Sequence, residues 1–115
     1  MKLIYPLLVF VFILSQSLQI SLANQTHNSL KKYNIVERMA FWNVYMKQIG
    51  ETCKVSEDYF MGFDKDEAAY WSVNCNGNKA NGYLIQLPND TKSKTKHFSC
   101  KVAKMLNINC FTKLD

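Results

Sequence analysis

Hydrophobic residues recur at two different periods along this chain. Between residues 28 and 49 they are spaced by three and four positions, which places them on one face of a helix. The stripe consists of Ile35, Met39, Trp42, Met46 and Ile49, widened by Phe41 and Tyr45. Asn28 or Ser29 is placed to cap the start of this helix, and Gly50 is placed to end it. The pattern predicts one amphipathic helix whose apolar face belongs to the core.

After Cys53 the hydrophobic residues alternate with polar or small ones, which is the period of a β-strand. Three alternating runs end at segments rich in turn-forming residues, at positions 64–67, 76–82 and 88–90. A fourth run follows a polar loop and contains Phe98, Cys100 and Val102. The pattern predicts four strands joined by short connections.

Folding the chain at these turns gives registers that agree with one another. Met61 and Leu87 both pair with Trp71, and Leu87 also pairs with Phe98, so that one face is apolar across all four strands. Ser72 and Asn74 fall on the opposite face, which we expect to be wetter. The sequence therefore predicts an α+β fold, with one N-terminal amphipathic helix packed on a four-stranded antiparallel β-meander.

The first 23 residues differ in composition from the rest of the chain. Lys2 precedes an apolar run, and Ser21-Leu22-Ala23 places small residues before a cleavage point. This layout predicts a signal peptide, residues 1–23, and a single disulfide-stapled domain, residues 24–115, with no transmembrane anchor after cleavage. An uncleaved anchor is the alternative, but the apolar run is too short to span a bilayer. We therefore expect an exported protein, either periplasmic or secreted.

The chain contains four cysteines, Cys53, Cys75, Cys100 and Cys110. An even number in a short exported chain without a Cys-x-x-Cys pair predicts two disulfides rather than a metal or redox site. Four cysteines allow three pairings, and the hairpin geometry favours Cys53–Cys75 and Cys100–Cys110. The first would tie the helix exit to the sheet, and the second would hold the C-terminus.

The residues that carry chemistry give little support for catalysis. The net charge of +5 favours acidic partners in general. Two histidines and many lysines invite comparison with pancreatic-type ribonucleases, but His27 lies near the expected N-terminus and His97 has no carboxylate neighbour in sequence. Residues 64–67 lack the glycine of a calcium loop and predict a solvated turn. We predict no catalytic residue, no cofactor and no metal.

Two groups of residues are candidates for binding. Lys92, Lys94, Lys96 and His97 form a predicted cationic loop suited to weak contact with a polyanion. Phe60, Tyr70 and Leu84 fall on the wetter sheet face, where together they would form a patch for a partner protein. Solvated lysines and scattered apolar side chains are the alternatives to these two interpretations.

A resemblance to small uncharacterised exported proteins of proteobacteria rests on three parts of the sequence. These are Tyr70-Trp71-Ser72-Val73-Asn74-Cys75, Gly82-Tyr83-Leu84-Ile85, and a late cysteine followed by Cys110-Phe111. The resemblance covers residues 53–111 and implies a periplasmic address and disulfide pairing, with no activity attached.

These observations together predict a non-catalytic secreted or periplasmic binding or accessory module, whose expected partner is an envelope or secreted protein. A small basic secreted hydrolase that acts on an anionic polymer, using His97 with a nearby lysine, is one alternative. A secreted host-directed effector is the other.

Overall fold

The structure, a computed structural model, describes residues 26–90 and 92–115. The expected signal peptide, residues 1–23, lies outside the described residues. The elements along the chain are α1 (Ile35–Gln48), β1 (Asp58–Phe63), β2 (Ala69–Cys75), β3 (Asn78–Leu87), β4 (Lys96–Ser99) and α2 (Cys100–Met105). Residues 26–32, which precede α1, are also helical. The strands form one antiparallel sheet in the order β1-β2-β3-β4, which confirms the α+β class and the meander.

The single helix predicted for residues 28–49 is broken at Asn34. The side chain of Asn34 accepts a hydrogen bond from the backbone N–H of Glu37 at 2.9 Å, and the Glu37 carboxylate accepts one from the backbone N–H of Asn34 at 3.0 Å. This reciprocal capping box starts a new helix at Ile35. The prediction that Asn28 or Ser29 caps the main helix is therefore wrong.

Both helices end with the same backbone motif. α1 ends before Gly50, as predicted, and α2 ends before Asn107; both residues have positive φ, 79° and 63°. The N–H groups of Glu51 and Ile108 then donate to carbonyls five residues earlier. This Schellman geometry satisfies the last helical carbonyls and turns the chain back on itself.

The register between β2 and β3 differs from the predicted one by two residues. The chain reverses within Asn76-Gly77, both of which have positive φ, 53° and 79°. This is the tight turn that Asn-Gly favours in hairpins. As a result Trp71 pairs with Ile85 rather than with Leu87. Because the shift is even, the side chains of β3 stay on their predicted faces.

The two outer pairings are shifted by odd numbers of residues, which moves side chains to the other face. A β-bulge follows Phe60, so that Phe60 rather than Met61 pairs with Trp71. In β4, Phe98 pairs with Leu84 instead of its predicted partner. Met61 and Phe98 therefore lie on the face that was expected to be wet.

Both faces of the sheet are covered. The first core lies between the sheet and the N-terminal helical segments, and consists of Leu30, Trp42, Met46, Val55, Ala69, Trp71, Val73, Ile85 and Leu87. The second core lies on the other face, and consists of Met61, Leu84 and Ala103 with Tyr70, Phe98, Ile108, Cys110 and Leu114 packed against them. Ser72 and Asn74 are also buried, and their side-chain polar atoms all have hydrogen-bond partners. The prediction of a wetter face is therefore wrong.

The second core exists because residues 100–105 form a helix where a strand was predicted. Ser99 caps this helix, since its hydroxyl accepts a hydrogen bond from the backbone N–H of Val102 at 3.1 Å. Cys100 and Ala103 are the buried residues of α2, so the helix lies with this side against the sheet.

Both predicted disulfides are confirmed. Cys53–Cys75 joins the segment after α1 to the end of β2, and Cys100–Cys110 joins the start of α2 to the C-terminal segment. Beyond Cys110 the backbone N–H of Leu114 donates to the carbonyl of Met61 at 2.8 Å, beside the bulge of β1. In the part of the chain that the structure describes, no helix has the length and hydropathy needed to cross a membrane.

Candidate anion-binding site

The predicted partner patch of Phe60, Tyr70 and Leu84 is not an exposed surface. Leu84 is only 1% exposed, because α2 and the C-terminal segment cover that face of the sheet. Phe60 lies on the opposite face, where its ring centroid is 5.1 Å from that of Trp71. The bulge in β1 and the helix α2 are the two features that remove this patch.

Tyr70, the third member, organises the turn between β1 and β2. Its hydroxyl donates to the Asp64 carboxylate at 2.9 Å and accepts from the Gln86 amide at 3.0 Å. Burial and the Asp64 carboxylate raise the pKa of Tyr70 to about 12. Burial acts to raise the pKa of Asp64, but hydrogen bonds from Ala68, Tyr70 and Asp66 lower it overall. Asp64 therefore holds a hairpin turn.

All four residues of the predicted cationic loop are exposed: Lys92, Lys94, Lys96 and His97. The first two lie in the connection between β3 and β4, whereas the last two belong to β4, where neighbouring side chains point to opposite faces. The His97 ring lies 6.4 Å from the rings of both Tyr45 and Tyr83. These cations are therefore dispersed over more than one surface.

His27 is buried, in contrast to its predicted exposure. Its ring lies 4.8 Å from that of Phe60, and its Nδ1 accepts a hydrogen bond from the Trp71 indole N–H at 3.1 Å. Burial lowers the pKa of His27 below its usual 6.5, and the ammonium group of Lys31 lowers it further. His27 packs on β1 and β2, whereas His97 lies on β4 at the other edge of the sheet. The structure does not bring the two histidines together.

Other reactive groups are already paired or scattered within the described residues. No group of three or more His, Cys, Asp or Glu side chains there is placed to hold a metal ion. All four cysteines form disulfides. No buried side-chain nitrogen or oxygen of the described residues lacks a hydrogen-bond partner. The remaining candidates are surface grooves.

A groove of about 340 Å³ lies between the start of β3 and α2. Lys79 lines it from β3, and Lys101 and Lys104 line it from α2. Its remaining lining residues are Ala80, Cys100, Asn109, Cys110 and Phe111. We call this site the cationic groove.

The three lysines of the cationic groove differ in their partners. Lys79 is held between the Glu57 carboxylate, at 3.1 Å, and the ring of Phe111, whose centroid is 5.2 Å from the Lys79 Nζ. Among the described residues, neither Lys101 nor Lys104 has a salt-bridge partner. Each ammonium group carries three hydrogen-bond donors and no acceptor. The cationic groove can therefore donate to phosphate, sulfate or carboxylate oxygens.

Local backbone motifs bring these side chains together. The Asn76-Gly77 turn places Lys79 near the start of β3. Asn107 turns the chain at the end of α2, and the backbone N–H of Phe111 then donates to the buried Ser72 hydroxyl at 3.0 Å. The cationic groove is thus built on a hairpin, a capped helix and a disulfide-closed loop.

The sequence-based interpretation missed this site because it assigned residues 98–102 to a strand. Lys101 and Lys104 lie on one side of α2 only at the helical spacing of three. The sequence did contain a signal for a helix here. Ser99 is a suitable N-cap, and it is followed by two apolar residues three positions apart, Cys100 and Ala103.

Two other cavities include a carboxylate among their lining residues. A cavity of about 690 Å³ is lined by Lys47 and Lys54 but also by Glu51, whose carboxylate accepts a hydrogen bond from the Tyr83 hydroxyl at 2.7 Å. A cavity of about 370 Å³ beside His27 includes Glu67. The cationic groove has no carboxylate among its lining residues, so it is the cavity best suited to an anion.

Comparison of the chain with protein-family models, curated proteins and solved structures finds no match. The resemblance to small exported proteins of proteobacteria stays a prediction.

Proposed function

We propose that this protein is an exported, non-catalytic binding module that holds anionic groups of an envelope or secreted component in the cationic groove. The observation that carries the proposal is the convergence of Lys79, Lys101 and Lys104 on one groove whose lining has no carboxylate. Lysine ammonium groups bind phosphate and other oxyanions as compact point charges.

The distribution of charge along the chain supports this assignment. Residues 68–115, which supply the whole lining of the cationic groove, contain seven lysines against Asp90 and Asp115. Residues 26–67 contain six basic and seven acidic residues. An excess of positive charge in this part of the chain raises the local concentration of anions and speeds their association.

The frame of the cationic groove also favours binding without large rearrangement. Lys101 and Lys104 project from a helix that is tied to the following segment by Cys100–Cys110. Lys79 lies two positions after the Asn76-Gly77 turn. Because these backbones are already fixed, little of the binding energy is needed to order them.

Export is supported by the pattern of residues 1–23 and by the two disulfides. Disulfides form and persist in oxidising compartments and are rare in the cytosol. N-terminal sequencing of the exported chain tests this part of the proposal, and we expect it to begin at Asn24. A chain that still begins at Met1 would contradict it.

The binding itself is tested with inorganic tripolyphosphate as a soluble probe. We expect amide chemical-shift changes at Lys79, Lys101, Lys104 and Asn109, and a dissociation constant measurable by titration calorimetry. The double variant Lys101→Gln/Lys104→Gln should weaken binding about tenfold, since each exposed charge pair contributes up to about 1 kcal/mol.

Lys92→Gln/Lys94→Gln is the matched control, because it removes the same charge from exposed positions outside the cationic groove. We expect it to retain most of the affinity of the unmodified protein. Equal losses in the two double variants would show general charge attraction without a site, and no binding by the unmodified protein would reject the proposal.

A further inference from the structure

α2 exposes apolar side chains directly beside the lysines of the cationic groove. Val102, Met105 and Leu106 are 44%, 82% and 57% exposed. Successive residues of a helix are rotated by about 100° around its axis. Going around the axis from Lys101, the next side chains are therefore Met105, Val102 and Leu106, which lie on the side away from the second core. We call these three residues the apolar ridge.

We propose that the apolar ridge inserts into the interface of an anionic lipid bilayer while the lysines of the cationic groove bind its headgroup phosphates. This inference rests on the proposed function and adds the surface that presents the anion. Apolar side chains bordered by lysines are typical of segments that lie in a membrane interface, where burial and attraction to anionic lipids add together. The long stems of Lys101 and Lys104 allow their ammonium groups to stay at headgroup level while the ridge is buried.

Charge favours a bilayer over a second copy of this chain as the occupant of this surface. A twofold contact through the apolar ridge with the two copies of α2 antiparallel would bring the lysines of both copies to the same flank. Like charges brought face to face disfavour association. Among the described residues, neither Lys101 nor Lys104 has a salt-bridge partner that would offset this repulsion. The negative charge of an anionic bilayer instead attracts the lysines beside the apolar ridge.

The experiment uses the oxidised, exported protein, with its N-terminus established by sequencing so that no leader contributes to lipid binding. Vesicles of 30% phosphatidylglycerol in phosphatidylcholine are compared with pure phosphatidylcholine vesicles by flotation. We expect binding to the anionic vesicles to be at least about tenfold stronger, because each lysine near an anionic surface adds to the attraction.

The ridge variant is Met105→Gln/Leu106→Gln, and its matched control is Ile35→Gln/Val36→Gln. Ile35 and Val36 are also adjacent and exposed, at 50% and 74%, but lie in the first turn of α1. We expect the ridge variant to lose at least about tenfold in partitioning, because two apolar side chains no longer enter the interface. The control variant should partition like the unmodified protein.

Insertion itself is read from the variant Leu106→Trp. Trp42 and Trp71 are buried in the first core, so their fluorescence provides a constant background. We expect the emission of the new indole to shift to shorter wavelength on anionic vesicles and to stay unchanged with tripolyphosphate.

The outcomes separate this inference from the proposed function. Loss of vesicle binding in the ridge variant, with tripolyphosphate binding retained, supports the inference. Binding of tripolyphosphate without any binding to anionic vesicles overturns the inference and leaves the proposed function standing. Equal vesicle binding by the ridge variant, or a dimer in solution that the ridge variant abolishes, also overturns it. Failure to bind either probe rejects both.

Discussion

Acidification should weaken the packing of residues 26–32 on the sheet through a single side chain, His27. This residue is 7% exposed, and its Nδ1 accepts the hydrogen bond of the Trp71 indole N–H. Only neutral imidazole can accept this bond, because both ring nitrogens carry protons in the charged form. Protonation would therefore place two donors opposite each other in a buried site.

The direction of the effect follows from the lowered pKa of His27. Burial, and then Lys31, keep the pKa of the folded state below the usual 6.5, so the unfolded chain takes up the proton first as the pH falls. The stabilisation is complete above pH 6.5 and is lost as the pH falls from there through the folded-state pKa. One proton limits the slope to about 1.4 kcal/mol per pH unit.

This loss is large for the segment concerned. His27 and Leu30 are the two buried residues of 26–32. A whole domain of this size is stable by only about 5–10 kcal/mol. We therefore expect the protection factors of the amides in residues 26–32, corrected for the pH dependence of intrinsic exchange, to fall on acidification before those in the strands do.

The assay is urea unfolding between pH 8 and pH 5, followed by tryptophan fluorescence. His27→Gln is the test variant, since its amide oxygen can accept the Trp71 hydrogen bond but does not titrate. We expect the unmodified protein to lose stability relative to this variant below pH 6.5, by no more than about 1.4 kcal/mol per pH unit. His97→Gln, which changes the exposed histidine, should follow the unmodified protein. Parallel curves for His27→Gln and the unmodified protein would refute the reasoning, as would a gain in stability on acidification.

Two further substitutions test the second core and the cationic groove. Leu84→Ala should destabilise the protein by about 2–5 kcal/mol in urea unfolding, because it opens a cavity under α2, and a cost below about 1 kcal/mol would contradict the burial of this face. Glu57→Gln should raise the affinity for tripolyphosphate about two- to fivefold, because it releases the ammonium group of Lys79. Asp66→Asn removes the same charge from an exposed turn, and an equal gain in that control would show a general charge effect.

The class of fold and the disulfides could be predicted from the sequence because they depend on long repeating patterns. Alternation over residues 59–63, 69–75 and 83–87 identifies strands even where the register between them is predicted wrongly. The apolar stripe through Trp42 and Met46 identifies a helix. Neither Cys53–Cys75 nor Cys100–Cys110 spans the pairing of β2 with β3, whose register was predicted wrongly.

The errors in the predicted fold come from local features, two helix caps and a β-bulge, that involve only one or two residues each. Asn34 caps a helix in the middle of an apparently continuous stripe, and the bulge after Phe60 moves side chains of β1 between faces. Ser99 starts a helix inside what alternation alone suggests is a strand. Leu84 stays on its predicted face, but it is buried because the helix that Ser99 starts covers that face.

The cationic groove could not be predicted because its lysines share no sequence pattern. Lys79 is 22 positions before Lys101, and the two meet only after the meander and α2 have packed. The predicted cationic loop had the opposite property, since its residues are close in sequence but are divided between the β3–β4 connection and the two faces of β4.

Helix α2 couples the stability of the fold to the proposed binding surface. Its buried side, Cys100 and Ala103, closes the second core, and its exposed side carries Lys101, Lys104 and the apolar ridge. A disulfide that closes a loop of this length stabilises a fold by about 3 kcal/mol, which here holds the C-terminal segment and Phe111 beside Lys79. The same contacts that bury Leu84 therefore set the positions of Lys101 and Lys104, so that reducing Cys100–Cys110 should weaken tripolyphosphate binding, measured by titration calorimetry, before tryptophan fluorescence shows unfolding of the first core.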